Sequence, residues 1–345
     1  LNNFYSSVAM KIFKDEKEYW KTEDSSLRSS LPKVKIIPKK IENFFPGEAL
    51  EDIEKNFSNW PRSHGGSSSM RFSSLDLINK ENVKKLELAW QYNSKDGEKG
   101  IQANPVVYDG LVYLPTPGNH IVCLDGITGK EIWKFTSEKS LIKSQDRLSL
   151  IITKNSVIFH NSLGDLIAVD INSGDLIWQT PTQKNIMDKN TFTVKYSDLV
   201  LDKESVYFSN NENNFYSIDI NNGLINWKQD INSNLRPTIV EGLVFTITLE
   251  GYLVVIDSRN GNIFRITNIL DQIKYSKRKD IIPVGFIVAD NKIYLSIKDG
   301  RMILIDIVEG KTIDIIKIAN GKISRPQVLG KYMYLIKDNS IIKIK

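Results

Sequence analysis

Arg236 and Arg325 each stand immediately before a proline, in RPTIVEGLVFTI and RPQVLGKYMYLI, and Asn104 holds the same place in NPVVYDGLVYL. Proline fixes φ near the extended region and removes a main-chain donor, so these residues mark the start of three equivalent strands. Two guanidiniums aimed at one point can hold a carboxylate or another anion by charge-assisted hydrogen bonds. The plainer role for all three residues is a strand start in a local turn. Other candidate chemistry is thinner. His64, His120 and His160 fall in separate segments, which favours solvated or hydrogen-bonded rings over a shared metal site. Cys123 is the sole cysteine, so no disulfide framework exists. Gly65 and Gly66 lack the strand-to-helix context of a phosphate cradle and read as a loop. Lys274, Lys277, Arg278 and Lys279 read as a solvated loop, and nucleic-acid binding is not expected. No nucleophile is paired with a base, and no catalytic residue is assigned.

The elements that must position these residues come from a phrase repeated five times: an apolar strand, an Asp, a short turn with Gly, and a second apolar strand. It reads VCLDGITGKEIWKF, IAVDINSGDLIWQT, YSIDINNGLINWKQ, VVIDSRNGNIFRI and ILIDIVEGKTIDII. Its aspartates are Asp125, Asp170, Asp219, Asp257 and Asp306, spaced by 45, 49, 38 and 49 residues, a period that signals a radial or stacked repeat array. Gly129, Gly174, Gly223, Gly261 and Gly310 close the five turns, where Asp supplies a side-chain bond to the backbone and Gly the positive φ. Trp133, Trp178 and Trp227 recur four residues after their glycines. A large ring repeated on one strand is expected to wedge between neighbouring sheets.

A hairpin precedes each phrase. The copies NPVVYDGLVYL, RPTIVEGLVFTI and RPQVLGKYMYLI are clear; SLIITKNSVIF, DLVLDKESVYF and VGFIVADNKIYL are looser. Two strands here and two in the phrase give the four of a β-propeller blade, so an all-β propeller with five complete blades is predicted between residues 101 and 318. Beyond them, ISRPQVLGKYMYLIKDNSIIKIK supplies three strands. LELAWQY, with Trp90 at the place of the repeat tryptophans, supplies a fourth, closing a sixth blade and removing two raw sheet edges. In such a ring Asn104, Arg236 and Arg325 point to one mouth of the central channel.

Residues 59–345 are therefore expected to form the propeller, and residues 1–58 an extension or tether. That extension has two helix-like stretches, residues 5–20 and 47–57, the second opening after Pro46 with Glu48, Glu51 and Asp52 in its first turns. In the 345-residue chain, 41% of residues are hydrophobic and 25% charged, with a net charge of +5. That composition is ordinary for a globular protein and no guide to partners. No run reaches the roughly 18 apolar residues of a membrane helix. The first residue is Leu1, which reads as a trimmed or mature form, with any export signal or anchor upstream.

From WPRSHGGSSSMRFSSLDLINKENVKKLELAWQY onward the chain resembles the pyrroloquinoline-quinone (PQQ) repeat propellers. That lead-in and the first blade are similar to PQQ-dependent alcohol and glucose dehydrogenases. FHNSLGDLIAVDINSGDLIW, YFSNNENNFYSIDINNGLINW and LRPTIVEGLVFTITLEGYLVVID are more similar to the non-catalytic B subunit of the outer-membrane β-barrel assembly machinery. That likeness implies a periplasmic or envelope scaffold of a Gram-negative bacterium that binds partner proteins, with no cofactor and with membrane association only through an anchor outside this chain. The dehydrogenase likeness implies PQQ, with Ca²⁺ held by oxygen ligands beside a carboxylate base. The alcohol-oxidising branch uses a pair of adjacent cysteines, where this chain has Cys123 alone. Where the glucose-oxidising branch tends to carry a histidine this chain has Gly118, and His120 falls two places later.

Overall fold

The computed structural model describes residues 59–60, 75, 77–96, 101, 103–118, 120–136, 149–161, 164–182, 195–329, 332–337 and 340–344. All of them belong to the compact unit Lys40–Lys345. The expected extension, its two helix-like stretches, and His64, Gly65 and Gly66 lie outside the described residues.

Six antiparallel sheets follow one another along the chain. Blade 1 holds β1 (Val106–Tyr108), β2 (Leu111–Pro115), β3 (Ile121–Asp125) and β4 (Glu131–Phe135). Blade 2 holds β5 (Leu150–Ile152), β6 (Ser156–His160), β7 (Leu166–Asp170) and β8 (Leu176–Thr180). Blade 3 holds β9 (Val200–Asp202), β10 (Ser205–Asn210), β11 (Asn214–Asp219) and β12 (Ile225–Gln229). Blade 4 holds β13 (Thr238–Val240), β14 (Leu243–Ile247), β15 (Tyr252–Asp257) and β16 (Ile263–Asn268). A one-turn helix, α1 (Tyr275–Arg278), precedes blade 5, which holds β17 (Pro283–Ala289), β18 (Lys292–Ile297), β19 (Arg301–Asp306) and β20 (Thr312–Lys317). Blade 6 holds β21 (Gln327–Leu329), β22 (Tyr332–Lys337) and β23 (Ser340–Ile344). The fold is the expected β-propeller.

Local chemistry sets each blade. Asp109 and Gly110, and likewise Glu241 and Gly242, have positive φ between the paired ends Tyr108↔Leu111 and Val240↔Leu243. These are two-residue hairpin turns whose twist matches that of the strands. In the repeated turn, Asp125 Oδ1 accepts the N–H groups of Ile127 and Thr128, while Gly129 N–H donates to the Asp125 carbonyl. Asp170, Asp219, Asp257 and Asp306 repeat that closure with Gly174, Gly223, Gly261 and Gly310, each glycine at positive φ.

The core lies between blades. One buried cluster joins Val106, Tyr113 and Trp133 of blade 1 to Leu150, Val157 and Phe159 of blade 2, and another joins Ile158 and Trp178 of blade 2 to Val206 and Phe208 of blade 3. The tryptophans are the wedges the sequence predicts. Trp133 Nε1 donates to the Ile171 carbonyl, Trp178 to Ile220 and Trp227 to Ser258, each in the next blade. Each ring also rests on the next blade's turn glycine. A Cβ at Gly174 would lie 2.7 Å from Trp133, and one at Gly261 would lie 2.7 Å from Trp227. In blade 4 the same place is taken by Arg265, whose Cδ lies 3.0 Å from the Cβ position of Gly310 and whose guanidinium donates to the Val308 carbonyl.

Trp90 obeys the same rule toward blade 1. It covers Gly129 at 2.6 Å from the Cβ position and donates to the Gly126 carbonyl, so residues 86–92 stand where a preceding blade would put its outermost strand. Among the described residues this segment makes no ladder with β23, and the sixth sheet has three strands. Leu86 and Leu88 remain exposed, so what fixes the segment is the Trp90 wedge together with the Leu114, Val122 and Leu124 cluster of blade 1. Trp60 pairs with Val107 on the innermost strand of blade 1.

Candidate functional site

Strand register defines a ring at one mouth of the channel. The pairings Val106↔Tyr113, Ile151↔Ile158, Val200↔Tyr207, Thr238↔Phe245, Ile287↔Tyr294 and Gln327↔Tyr334 are equivalent in the six blades. Two residues before the first partner of each stand Asn104, Ser149, Asp198, Arg236, Gly285 and Arg325. Alternate residues of a strand share a face, so the ring carries one position from every blade on one side of the innermost strands. The proline signal marks three of these six. Ser149 and Asp198 open their hairpins without a following proline, and their signal in the sequence is the first letter of SLIITKNSVIF and of DLVLDKESVYF.

Neighbouring blades meet through these positions. Ser149 Oγ accepts the Leu199 N–H at 3.0 Å. Arg325 donates from Nε to the Phe286 carbonyl at 2.8 Å, and its chain lies across Gly285, where a Cβ would come within 2.8 Å of the Arg325 Cβ. Glycine at 285 is therefore what lets Arg325 lie over blade 5. Arg325 and Arg236 are both half-buried, whereas Asp198 and Asn104 are exposed. Burial, and after it the nearby Arg236, push the Arg325 guanidinium down to about 10, while Asp198 acts in the opposite sense. Arg236 is lowered by burial and supported by the same Asp198. Two guanidiniums from blades 4 and 6 and one carboxylate from blade 3 thus hold equivalent positions in the ring. A Ca²⁺ takes about six to eight oxygen ligands, and a ring holding one carboxylate beside two guanidiniums does not fit it.

His120 and His160 stand in different blades. His120, half-buried before β3, is lowered by burial and then by Lys134, with Asp96 opposing. His160 is not the solvated ring that the sequence allows. It is buried between blades, stacked on Tyr196 at 4.3 Å and edge-on to Phe208 at 4.6 Å, and its Nε2 has no partner among the described residues. Burial pushes it down to about 3. No group of three or more His, Cys, Asp or Glu side chains suited to a metal occurs among the described residues. At Gly118 a Cβ would lie 3.0 Å from Asp96 Cγ; the Asp96 carboxylate, bonded to Thr116 and to Lys134, fills the space beside that turn.

A second surface was not singled out by motif. The outermost strands of successive blades turn adjacent apolar side chains to solvent: Leu176 and Ile177 in blade 2, Leu224 and Ile225 beside β12, Ile263 and Phe264 in blade 4. Leu224 is 67% exposed and Leu176 51%. Its signal in the sequence is a paired apolar dipeptide that ends one or two places before each wedge position, which breaks the alternation of a half-buried strand.

Comparison with known proteins places this architecture. The model of the family described as outer membrane protein assembly factor BamB matches residues 85–267. Quinohemoprotein alcohol dehydrogenase ADH IIB of Pseudomonas putida is 29% identical over 141 residues, covering 39% of this chain and 20% of its own. The dehydrogenase subunit of alcohol dehydrogenase (quinone) of Gluconacetobacter polyoxogenes is 30% identical over 158 residues, covering 43% of this chain and 21% of its own. The chain thus spans about a fifth of the length of these relatives. Among solved structures, BamB from Moraxella catarrhalis superposes with a TM-score of 0.58 at 14% identity, over 69% of this chain and 70% of that one. Quinohemoprotein alcohol dehydrogenase from Comamonas testosteroni gives 0.56 at 18% identity, over 79% of this chain and 51% of that one. At these identities the superpositions speak for the fold alone.

Proposed function

The chain belongs to the PQQ-repeat family described as outer membrane protein assembly factor BamB, and from that premise we propose a non-enzymatic cell-envelope scaffold that docks partner proteins. The observation that carries this reading is the run of exposed apolar pairs on the outermost strands of blades 2 to 4. Among the described residues an outer strand has one row of N–H and C=O groups without a ladder partner, so an extended segment can add to it as a further strand, with main-chain bonds supplying affinity. Leu176, Leu224 and Phe264 then supply side-chain contacts, each worth about 1.5–3 kcal/mol if fully covered. A periplasmic or envelope location and a place in outer-membrane protein assembly follow from this reading.

The test is reconstituted insertion of an outer-membrane β-barrel protein into proteoliposomes, with and without the chain. The triple substitution Leu176→Ser, Leu224→Ser, Phe264→Ser should abolish any stimulation while leaving the melting temperature close to wild type, because surface changes move stability by only about 0.5 kcal/mol each. Stimulation that survives the triple substitution refutes the docking edge.

The second reading, a reduced quinoprotein that binds PQQ and oxidises an alcohol or sugar, is supported by the dehydrogenase relatives. Under it, the channel-mouth arginines would hold carboxylates of the quinone, which supplies two-electron redox chemistry when bound. Titration with PQQ and Ca²⁺, read by absorbance and by dye-linked alcohol oxidation, separates the readings. Saturable binding with turnover would favour the enzyme; no binding favours the scaffold.

A further inference from the structure

We infer that blades 3 and 4 enclose a buried polar site for ordered water, held between the hydroxyls of Ser209 and Thr246. Both residues are fully buried, and neither Ser209 Oγ nor Thr246 Oγ1 has a hydrogen-bond partner among the described residues. Register brings them to one seam. Ser209 stands two places after Tyr207 on β10 and is paired with Phe215 of β11; Thr246 stands two places after Val244 on β14 and is paired with Val254 of β15. Tyr207, Phe215, Val244 and Val254 belong to the core cluster that joins blades 3 and 4. Alternate residues of a strand share a face, so the two hydroxyls enter this seam from opposite walls. The linker after β12 ties the walls together at their level. Ser233, itself fully buried, donates its N–H to the carbonyl of Asn210 and its Oγ to the carbonyl of Ile247 at 2.7 Å, the residues next to Ser209 and Thr246.

The neighbouring seam shows what else this place can hold. Counted from the equivalent pairings Ile151↔Ile158, Val200↔Tyr207 and Thr238↔Phe245, Ser209 corresponds to His160 and Thr246 to Phe208. Between blades 2 and 3 the place is filled by those two rings, edge-on at 4.6 Å. Yet both seams are held at one spacing. The turn glycines Gly223 and Gly261 have their Cβ positions 2.7 Å from Trp178 and Trp227, and the two indoles donate across their seams at 2.9 Å and 2.8 Å. Two small hydroxyl side chains at a spacing that accepts two rings leave a space between them. Each hydroxyl can donate one hydrogen bond and accept others, a buried hydroxyl without a partner is costly, and a roomy place with two such groups is where a buried water belongs.

A high-resolution crystal structure tests the site directly. A solvent peak within hydrogen-bond distance of both hydroxyls, about 2.5–3.0 Å, is expected; no peak, or a direct bond between the two hydroxyls, overturns the inference. Stability gives a second reading. Thr246→Val and Ser209→Ala should each lower the melting temperature by about 2–4 °C, and the double variant by no more than the larger single loss, because both hydroxyls hold the same water. Additive losses, or none, overturn the inference as well. Ser209→His combined with Thr246→Phe copies the ring pair of the neighbouring seam, so it should expel the water and melt close to wild type. The same rings placed by Ile247→His with Leu295→Phe, the corresponding and fully buried pair between blades 4 and 5, should melt far lower, because two large side chains already fill that seam. Equal collapse of the two ring variants would mean that no space lies between Ser209 and Thr246.

Discussion

At the turn glycines two requirements coincide, and they can be separated by substitution. Gly110 has positive φ with nothing within 4 Å of its Cβ position, whereas Gly174 has positive φ and the Trp133 ring 2.7 Å away. Gly110→Ala should therefore cost only the backbone strain, about 1–2 kcal/mol. Gly174→Ala should add about 1–3 kcal/mol of overpacking; urea unfolding of the two variants measures the difference. Equal losses would mean that the ring gives way freely. His160 supplies a pH dependence of definite sign. Its folded value lies near 3 against an ordinary 6.5, so the unfolded chain binds a proton that the folded chain refuses. Stability from this group is complete above about 6.5 and falls as pH drops from there toward about 3. His120, also lowered, adds a slope of the same sign, while the lowered carboxylates Asp125, Asp170 and Asp257 act at more acid pH. His160→Phe should flatten the loss of stability between pH 6.5 and 4.5; an unchanged slope would show that the ring titrates normally. The repeat aspartates, glycines and tryptophans could all be read from sequence, because each recurs at one offset. The wedge on Gly310 could not, because Arg265 fills the tryptophan's place with a different residue type.

A single blade, of four strands in blades 1 to 5 and three in blade 6 among the described residues, cannot hide both of its faces, so its stability resides in contacts with its neighbours. Trp178 connects blades 2 and 3 through the Ile220 carbonyl and through contact with Gly223 at 2.7 Å from the Cβ position, and it is buried. Trp178→Ala should cost roughly 3–5 kcal/mol, a large part of ordinary domain stability, and calorimetric melting would register it as a drop of several degrees. An unchanged melt would place the ring outside the core. At this scale the four-strand count, the hairpin turns and the Asp-to-Gly turns were legible from period-2 alternation and turn chemistry. The outer apolar pairs were not recognised as a surface, because an apolar dipeptide on a strand is equally compatible with burial on both faces. Only the sheet order puts these strands outermost, with no further strand on them among the described residues.

For the whole molecule, the two ends of the array are β23 and residues 86–92. Trp90 already sits on Gly129 as a preceding blade's wedge would, and β23 ends the three-stranded sixth sheet. Deleting residues 341–345 removes most of β23 and bares the edge of β22, so the shortened protein should aggregate or melt earlier. Size-exclusion chromatography with a thermal melt tests this; a stable monomer would make the last strand dispensable to the ring. The sequence by itself determined the all-β repeat, the number of sheets, the blade boundaries and the register of Asn104, Arg236 and Arg325, because these follow from local periodicity and turn chemistry that each repeat states independently. Tertiary structure decided what those residues meet. The sequence places Arg236 and Arg325 89 residues apart and says nothing of Asp198 or Gly285 beside them. Curvature of the ring brings four blades' strand starts to one mouth, and the absent side chain at Gly285 gives Arg325 the room to lie there. His160 likewise reads as any strand-end histidine until the adjoining blade supplies Tyr196 and Phe208, whose rings exclude water and hold it neutral.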